Sequence, residues 1–153
     1  MTINDIQDTI IEEFEILSDD RESTIFYIME LGQKLPAFNE NAKIDKNLIK
    51  GCQSKVWLTA KADGDRVIFH ADSNTEITKG LISLLIRVLS GQKADDIIDA
   101  ELYFIEKIGM SQLIGSQRSN GLASMIKQMK LFALAFRQMN LKDKSQSTNY
   151  KYQ

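Results

Sequence analysis

Apolar positions recur along this chain with two different periods. Ile3, Ile6, Ile10, Phe14 and Leu17 are spaced three or four apart, which predicts a first helix over Ile3 to Leu17. A second helix is predicted from an N-cap at Asp19 or Asp20, through Ile25, Ile28, Met29 and Leu31, to a stop at Gly32. The single proline, Pro36, then opens an irregular stretch to Asn47. At Val56 the period changes to two. Val56 to Ala62 and Arg66 to Asp72 both alternate, with the turn signal Asp63-Gly64 between them. A two-residue turn on Asp63-Gly64 pairs Ala60 with Val67, Leu58 with Phe69 and Val56 with Ala71. Those six residues then share one face, while Trp57 falls opposite His70 and Lys55 opposite Asp72.

The helical period resumes after the hairpin. Ser73 and Glu76 fit a capping box for a helix that buries Ile77, Leu81, Leu84, Leu85 and Val88 and ends at Gly91. Short helices are predicted over Ala94 to Asp99 and over Leu102 to Ile108, the second ending at Gly109. A polar turn over Ser116 to Gly121, carrying Arg118, precedes the last helix, which starts after Ser119 or Asn120. Its stripe of Leu122, Met125, Ile126, Met129, Phe132, Ala133 and Phe136 reads as core rather than as a cofactor site. Residues 142–153 are uniformly polar and read as a flexible tail behind a single domain over 1–141.

Composition narrows the class. The chain has 153 residues, 43% hydrophobic and 26% charged, enough for one domain with a real core. A net charge of -2 without a basic block argues against nucleic acid. The most apolar stretch, Gly80 to Leu89, is too short to span a bilayer and contains Arg87. The first residues lack a basic and an apolar signal region, and with one free cysteine this leads to the expectation of a cytoplasmic protein.

That one cysteine, Cys52, carries the candidate chemistry. It lies in Gly51-Cys52-Gln53-Ser54-Lys55-Val56-Trp57, between a glycine and polar residues, just before the first strand. A lone thiol forms no internal disulfide and no CxxC pair, and with one histidine it is a poor basis for a zinc or iron–sulfur site. Two uses remain: a nucleophile or group carrier, or a small buried hydrophobe with no chemistry. A hydrolase needs a histidine base, and His70 is placed beside Trp57, away from the cysteine loop. The predicted helix starting at Ser73 favours a nearby thiolate through its dipole, and Lys50 and Lys55 add positive charge in the same region.

The motifs in order resemble the SufE family of sulfur acceptors, with its CsdE-type members. The resemblance rests on Leu31-Gly32-Gln33-Lys34-Leu35-Pro36, the Cys52 motif, Ala71-Asp72-Ser73, Lys79-Gly80-Leu81 and Ser116-Gln117-Arg118-Ser119-Asn120-Gly121-Leu122. Gln117 stands where a proline is common. The resemblance implies an α+β fold, a small antiparallel sheet covered by helices and shared with IscU-type scaffolds. It implies that Cys52 takes persulfide sulfur from a cysteine desulfurase, activates that enzyme, and passes the sulfur to an iron–sulfur assembly scaffold. Gly51, Gln53, Ser54, Asp72 and Arg118 are its expected supporting residues. No pyridoxal phosphate, other cofactor or metal is expected on this chain, and a monomer or homodimer fits equally. The competing reading is a binding module, or a scaffold-like protein, in which Cys52 is inert.

Overall fold

The computed structural model describes the backbone of residues 1–17 and 20–151, and the side chains of that range up to residue 141. It is an α+β fold in which helices cover a three-stranded antiparallel sheet of order β1-β2-β3. In chain order come α1 (Ile3–Glu15), α2 (Arg21–Gln33), two 3-10 turns (Glu40–Ala42 and Asp45–Asn47), β1 (Val56–Asp63) and β2 (Arg66–Ser73). They are followed by α3 (Glu76–Leu89), β3 (Gln92–Lys93), α4 (Ala94–Asp99), α5 (Phe104–Lys107) and α6 (Met110–Lys151). The tail expected over 142–153 lies outside the described side chains, although the α6 backbone is helical through Lys151.

The hairpin register differs from the expected one. Asp63 pairs with Arg66, so the central turn residues are Gly64-Asp65, not Asp63-Gly64. Gly64 has φ +62°, and among the described residues every positive φ belongs to a glycine. The turn therefore places its glycine first, the arrangement of a type II′ turn, and leaves both aspartates at negative φ. The pairing slides by two residues, which preserves side-chain parity. Leu58 faces Ala71, Ala60 faces Phe69, and the expected apolar face survives with new partners. Trp57 now lies opposite Asp72, and His70 opposite Thr59.

That face packs on α3, the central helix of the domain. Leu81, Ile82, Leu84, Leu85, Val88 and Leu89 are all buried, which requires neighbours on several sides. One neighbour is α2, and the contact is unusually close. A Cβ built on Gly32 would lie 2.6 Å from the Gly80 amide nitrogen, and one on Gly80 would overlap the Ile28 carbonyl. Gly32 is thus an interior packing residue rather than a helix stop. The helix continues to Gln33 and ends at Lys34, two residues before Pro36. Its start is the Asp20 N-cap, which accepts from the Ser23 amide.

α1 seals the core against α3 and α5. Buried Gln7 donates to the Glu101 carbonyl and accepts from the Phe104 amide, and Glu13 forms a bidentate pair with Arg87 of α3. The last helix begins earlier than its apolar stripe implies. It starts at Met110, is interrupted at Gly115 (φ 82°, ψ 171°), and resumes at once. Residues 116–121, expected as a polar turn, are the first turns of this resumed segment.

Candidate functional site: a half-buried thiol in a cleft

The strands create the loop that holds Cys52. Leu48 bridges Trp57, and the Ile49 amide donates to the Val56 carbonyl at 2.9 Å, so residues 48–57 form a pinched loop with Cys52 near its tip. Gly51 has φ +93°, and a Cβ there would lie 2.5 Å from the Ser124 hydroxyl. Glycine is needed at this position for two separate reasons, the left-handed backbone and the approach of α6.

The far side of the loop is tied to the start of α3. Thr75 and Thr78 both donate hydroxyl hydrogen bonds to Ser54 Oγ, at 2.9 and 3.3 Å. The Lys55 amide donates to Asn74 Oδ1 at 3.0 Å, and the Ser73 hydroxyl donates to the Lys55 carbonyl at 2.8 Å. Ser73 is therefore spent on the loop and does not cap α3, whose N-cap is Thr75. The expected capping box gives way to a clamp between loop and helix.

Cys52 is half-buried and faces a cleft of about 410 Å³ between its own loop, α3 and α6. The apolar walls are Leu81, Ile114 and Met125; Thr78, Gly121 and the α6 segment from Gly115 to Arg118 complete it. The thiol donates a long hydrogen bond to the Gly121 carbonyl at 3.5 Å. Burial pushes its pKa above the ordinary thiol value. Burial thus acts against the thiolate that the start of α3 is expected to favour.

Of the residues expected at the site, Gln53, Ser54 and Arg118 line this cleft with Cys52, Arg118 from the exposed side. Gly51 abuts Ser124 behind the loop. Asp72 is not a wall of the cleft. It sits in an ion-pair cluster with Lys43 Nζ at 3.1 Å and Lys79 Nζ at 3.3 Å, and the Lys43 ammonium also lies 5.3 Å from the Trp57 ring centroid. Burial opposes ionisation of Asp72, but the hydrogen bond from Lys43, the Ser73 amide and Lys79 outweigh it and hold its pKa below the usual value.

Sequence reasoning did not assemble the cleft. Leu81 and Met125 are legible as core in the sequence, and Gly121 stands in the motif Ser116 to Leu122. Ile114 lay in a stretch without helical signal, and Lys43 carried none. His70 is exposed on β2 and is not among the cleft walls. Among the described residues, no three His, Cys, Asp or Glu side chains converge as a metal site would require, and no helix is long and apolar enough to cross a membrane.

A compact α+β domain with one thiol at the mouth of a helix-lined cleft defines the class. Residues 8–133 match the SufE family, described as an Fe-S metabolism associated domain. Uncharacterized SufE-like proteins of Rhizobium meliloti and Synechocystis are 39% and 33% identical, over 80% and 83% of this chain and 91% and 79% of their own lengths. A SufE-like protein of Arabidopsis thaliana, chloroplastic/mitochondrial, is 36% identical over 70% of this chain but only 29% of its own. The solution structure of a hypothetical protein from Thermus thermophilus superposes with a TM-score of 0.70 at 16% identity, covering 90% of this chain and 96% of that one. The chain belongs to the SufE family and has its place in iron–sulfur metabolism.

Proposed function

We propose that the protein is a sulfur carrier whose Cys52 accepts sulfane sulfur from a cysteine desulfurase and delivers it to a thiol of an iron–sulfur assembly scaffold. The observation that carries this reading is the position of the thiol: on a glycine-borne loop, half-buried, and facing a cleft with Arg118 at its edge. An inert structural cysteine has no need of an open cleft beside its sulfur.

The reaction balances without an external oxidant. Cys52 loses its proton, and its thiolate attacks the terminal sulfur of the persulfide on the desulfurase cysteine. The S–S bond of that persulfide breaks, the desulfurase thiolate leaves, and Cys52 becomes the persulfide. A scaffold thiolate then attacks the outer sulfur and Cys52 departs as thiolate. Each step is an exchange at sulfur with no net redox change. Removing sulfur from the desulfurase frees that enzyme for another turnover, so the carrier also acts as its activator.

The raised pKa supports a protected resting state. A thiol kept protonated against Leu81, Ile114 and Met125 reacts slowly with stray oxidants, and leaving the Gly121 contact exposes it to water and restores thiolate character. The test is Cys52→Ser with the cognate desulfurase and cysteine. Wild type is expected to raise sulfide release and to gain the mass of a sulfur atom on Cys52, and the variant to do neither, since a neutral hydroxyl is not a competent sulfur nucleophile. Equal stimulation by both proteins overturns the carrier reading.

A further inference from the structure

Behind the Cys52 loop lies a second cavity of about 420 Å³, between α6 and the segment that leads into β1. Its composition departs from that of the whole molecule. The chain carries a net charge of -2, yet among the described residues this groove is walled by Lys46, Lys50 and Lys127 and by no aspartate or glutamate. None of these three lysines forms an ion pair among the described residues, whereas Lys43 and Lys79 are both paired. The floor is apolar, from Leu48, Leu58 and Phe132, with Leu131 47% exposed at the edge.

The groove and the thiol cleft share a partition. Lys50 lines the groove and Cys52 the cleft, with Gly51 between them packed on Ser124. On α6, Ser124 faces the groove, and Gly121, one turn earlier, faces the cleft. A chain seated in the groove therefore presses on the back of the loop that carries the thiol.

We infer that this groove is a docking site for an acidic, apolar-anchored segment of the desulfurase that delivers sulfur to Cys52. Three unpaired ammonium groups around an apolar floor complement carboxylates flanking one or two large apolar side chains. A neutral apolar peptide leaves the lysines without partners, and a basic one is repelled. The inference rests on the carrier reading for the identity of the partner and adds the surface and its chemistry.

The test uses the full chain with Lys46→Glu and Lys127→Glu together; both residues lie outside the thiol cleft. Binding to the desulfurase is measured directly by calorimetry, alongside desulfurase activation and the sulfur mass on Cys52. Charge reversal is expected to weaken binding about tenfold or more, as like charges brought together at an interface do. It should raise the concentration for half-maximal activation equally and leave the maximal rate unchanged. The Lys46→Arg, Lys127→Arg variant should bind like wild type, and wild-type binding should weaken as salt is raised. Circular dichroism and loading of Cys52 by a small polysulfide should be the same in all three proteins. Equal desulfurase affinity of the charge-reversed and wild-type proteins overturns the inference, as does a wild-type protein that does not bind the desulfurase. The carrier reading fails separately, if binding occurs but no sulfur reaches Cys52.

Discussion

At the scale of single residues, the loop that carries Cys52 depends on what Gly51 lacks. An alanine at φ +93° pays the left-handed backbone cost of about 1–2 kcal/mol and also meets the Ser124 hydroxyl. Gly51→Ala is therefore expected to lower stability in urea by more than that backbone term. Adding Ser124→Ala should recover the collision part but not the rest; full recovery would show that the backbone conformation costs nothing here. The thiol itself yields a pH prediction. Its folded pKa is raised by burial, so the protonated form is the one the fold favours. The resulting stability is fully present below the unfolded thiol pKa, about 8.5, and is lost as pH rises through the folded value. Stability profiles of wild type and Cys52→Ser should hold a constant offset below that range and change relative to each other above it. Alkylation of Cys52 near neutral pH should be slower in the native protein than in urea, and equal rates would contradict the burial described here.

At the scale of elements, the α2–α3 crossing is set by two glycines. Ordinarily Gly→Ala within a helix gains about 1 kcal/mol. Gly80→Ala is expected to reverse that sign, because its Cβ overlaps the Ile28 backbone, which cannot rotate away as a side chain can. A net loss of about 1–3 kcal/mol, seen as a lower urea midpoint with an unchanged slope, is the expected result. The same crossing shows what the sequence could reveal. The periods of α1 and the two main strands are readable because one face of each must be buried, and α3 is readable as an apolar run of helical length. Gly32 looked like a helix end because a glycine that stops a helix and one that admits a neighbouring helix are the same letter. The hairpin register is ambiguous in sequence for a similar reason: Asp-Gly and Gly-Asp turns overlap in Asp63-Gly64-Asp65, and both keep the apolar parity. β3 is too short to show any period. The site was legible as Cys52 and its motif, but the cleft is built from residues on three elements distant in sequence.

At the scale of the whole molecule, charge is distributed unevenly. Asp72 and Glu40 hold Lys43 on one side of the Cys52 loop, while the lysines behind it have no ion-pair partner among the described residues. Lowering pH through the carboxylate range protonates Asp72. Because its folded pKa lies below the usual value, its stabilising contribution is present above about pH 3.9 and is lost as pH falls through the folded value. Asp72→Asn should therefore flatten the acid limb of the stability curve, and an unchanged limb would mean the pairing contributes nothing.

The seal made by α1 has a consequence in time. The helix is synthesised well before α5, yet Gln7 is held by Glu101 and Phe104, and Asp8 by Tyr103. At about 5–20 residues per second, a ribosome takes roughly 5–20 s to supply those partners. Throughout that interval Ile3, Ile10 and Phe14, all buried in the finished domain, have nothing from α5 to cover them. The nascent chain thus offers an amphipathic helix to chaperones, or to neighbouring nascent chains, until α5 has been made.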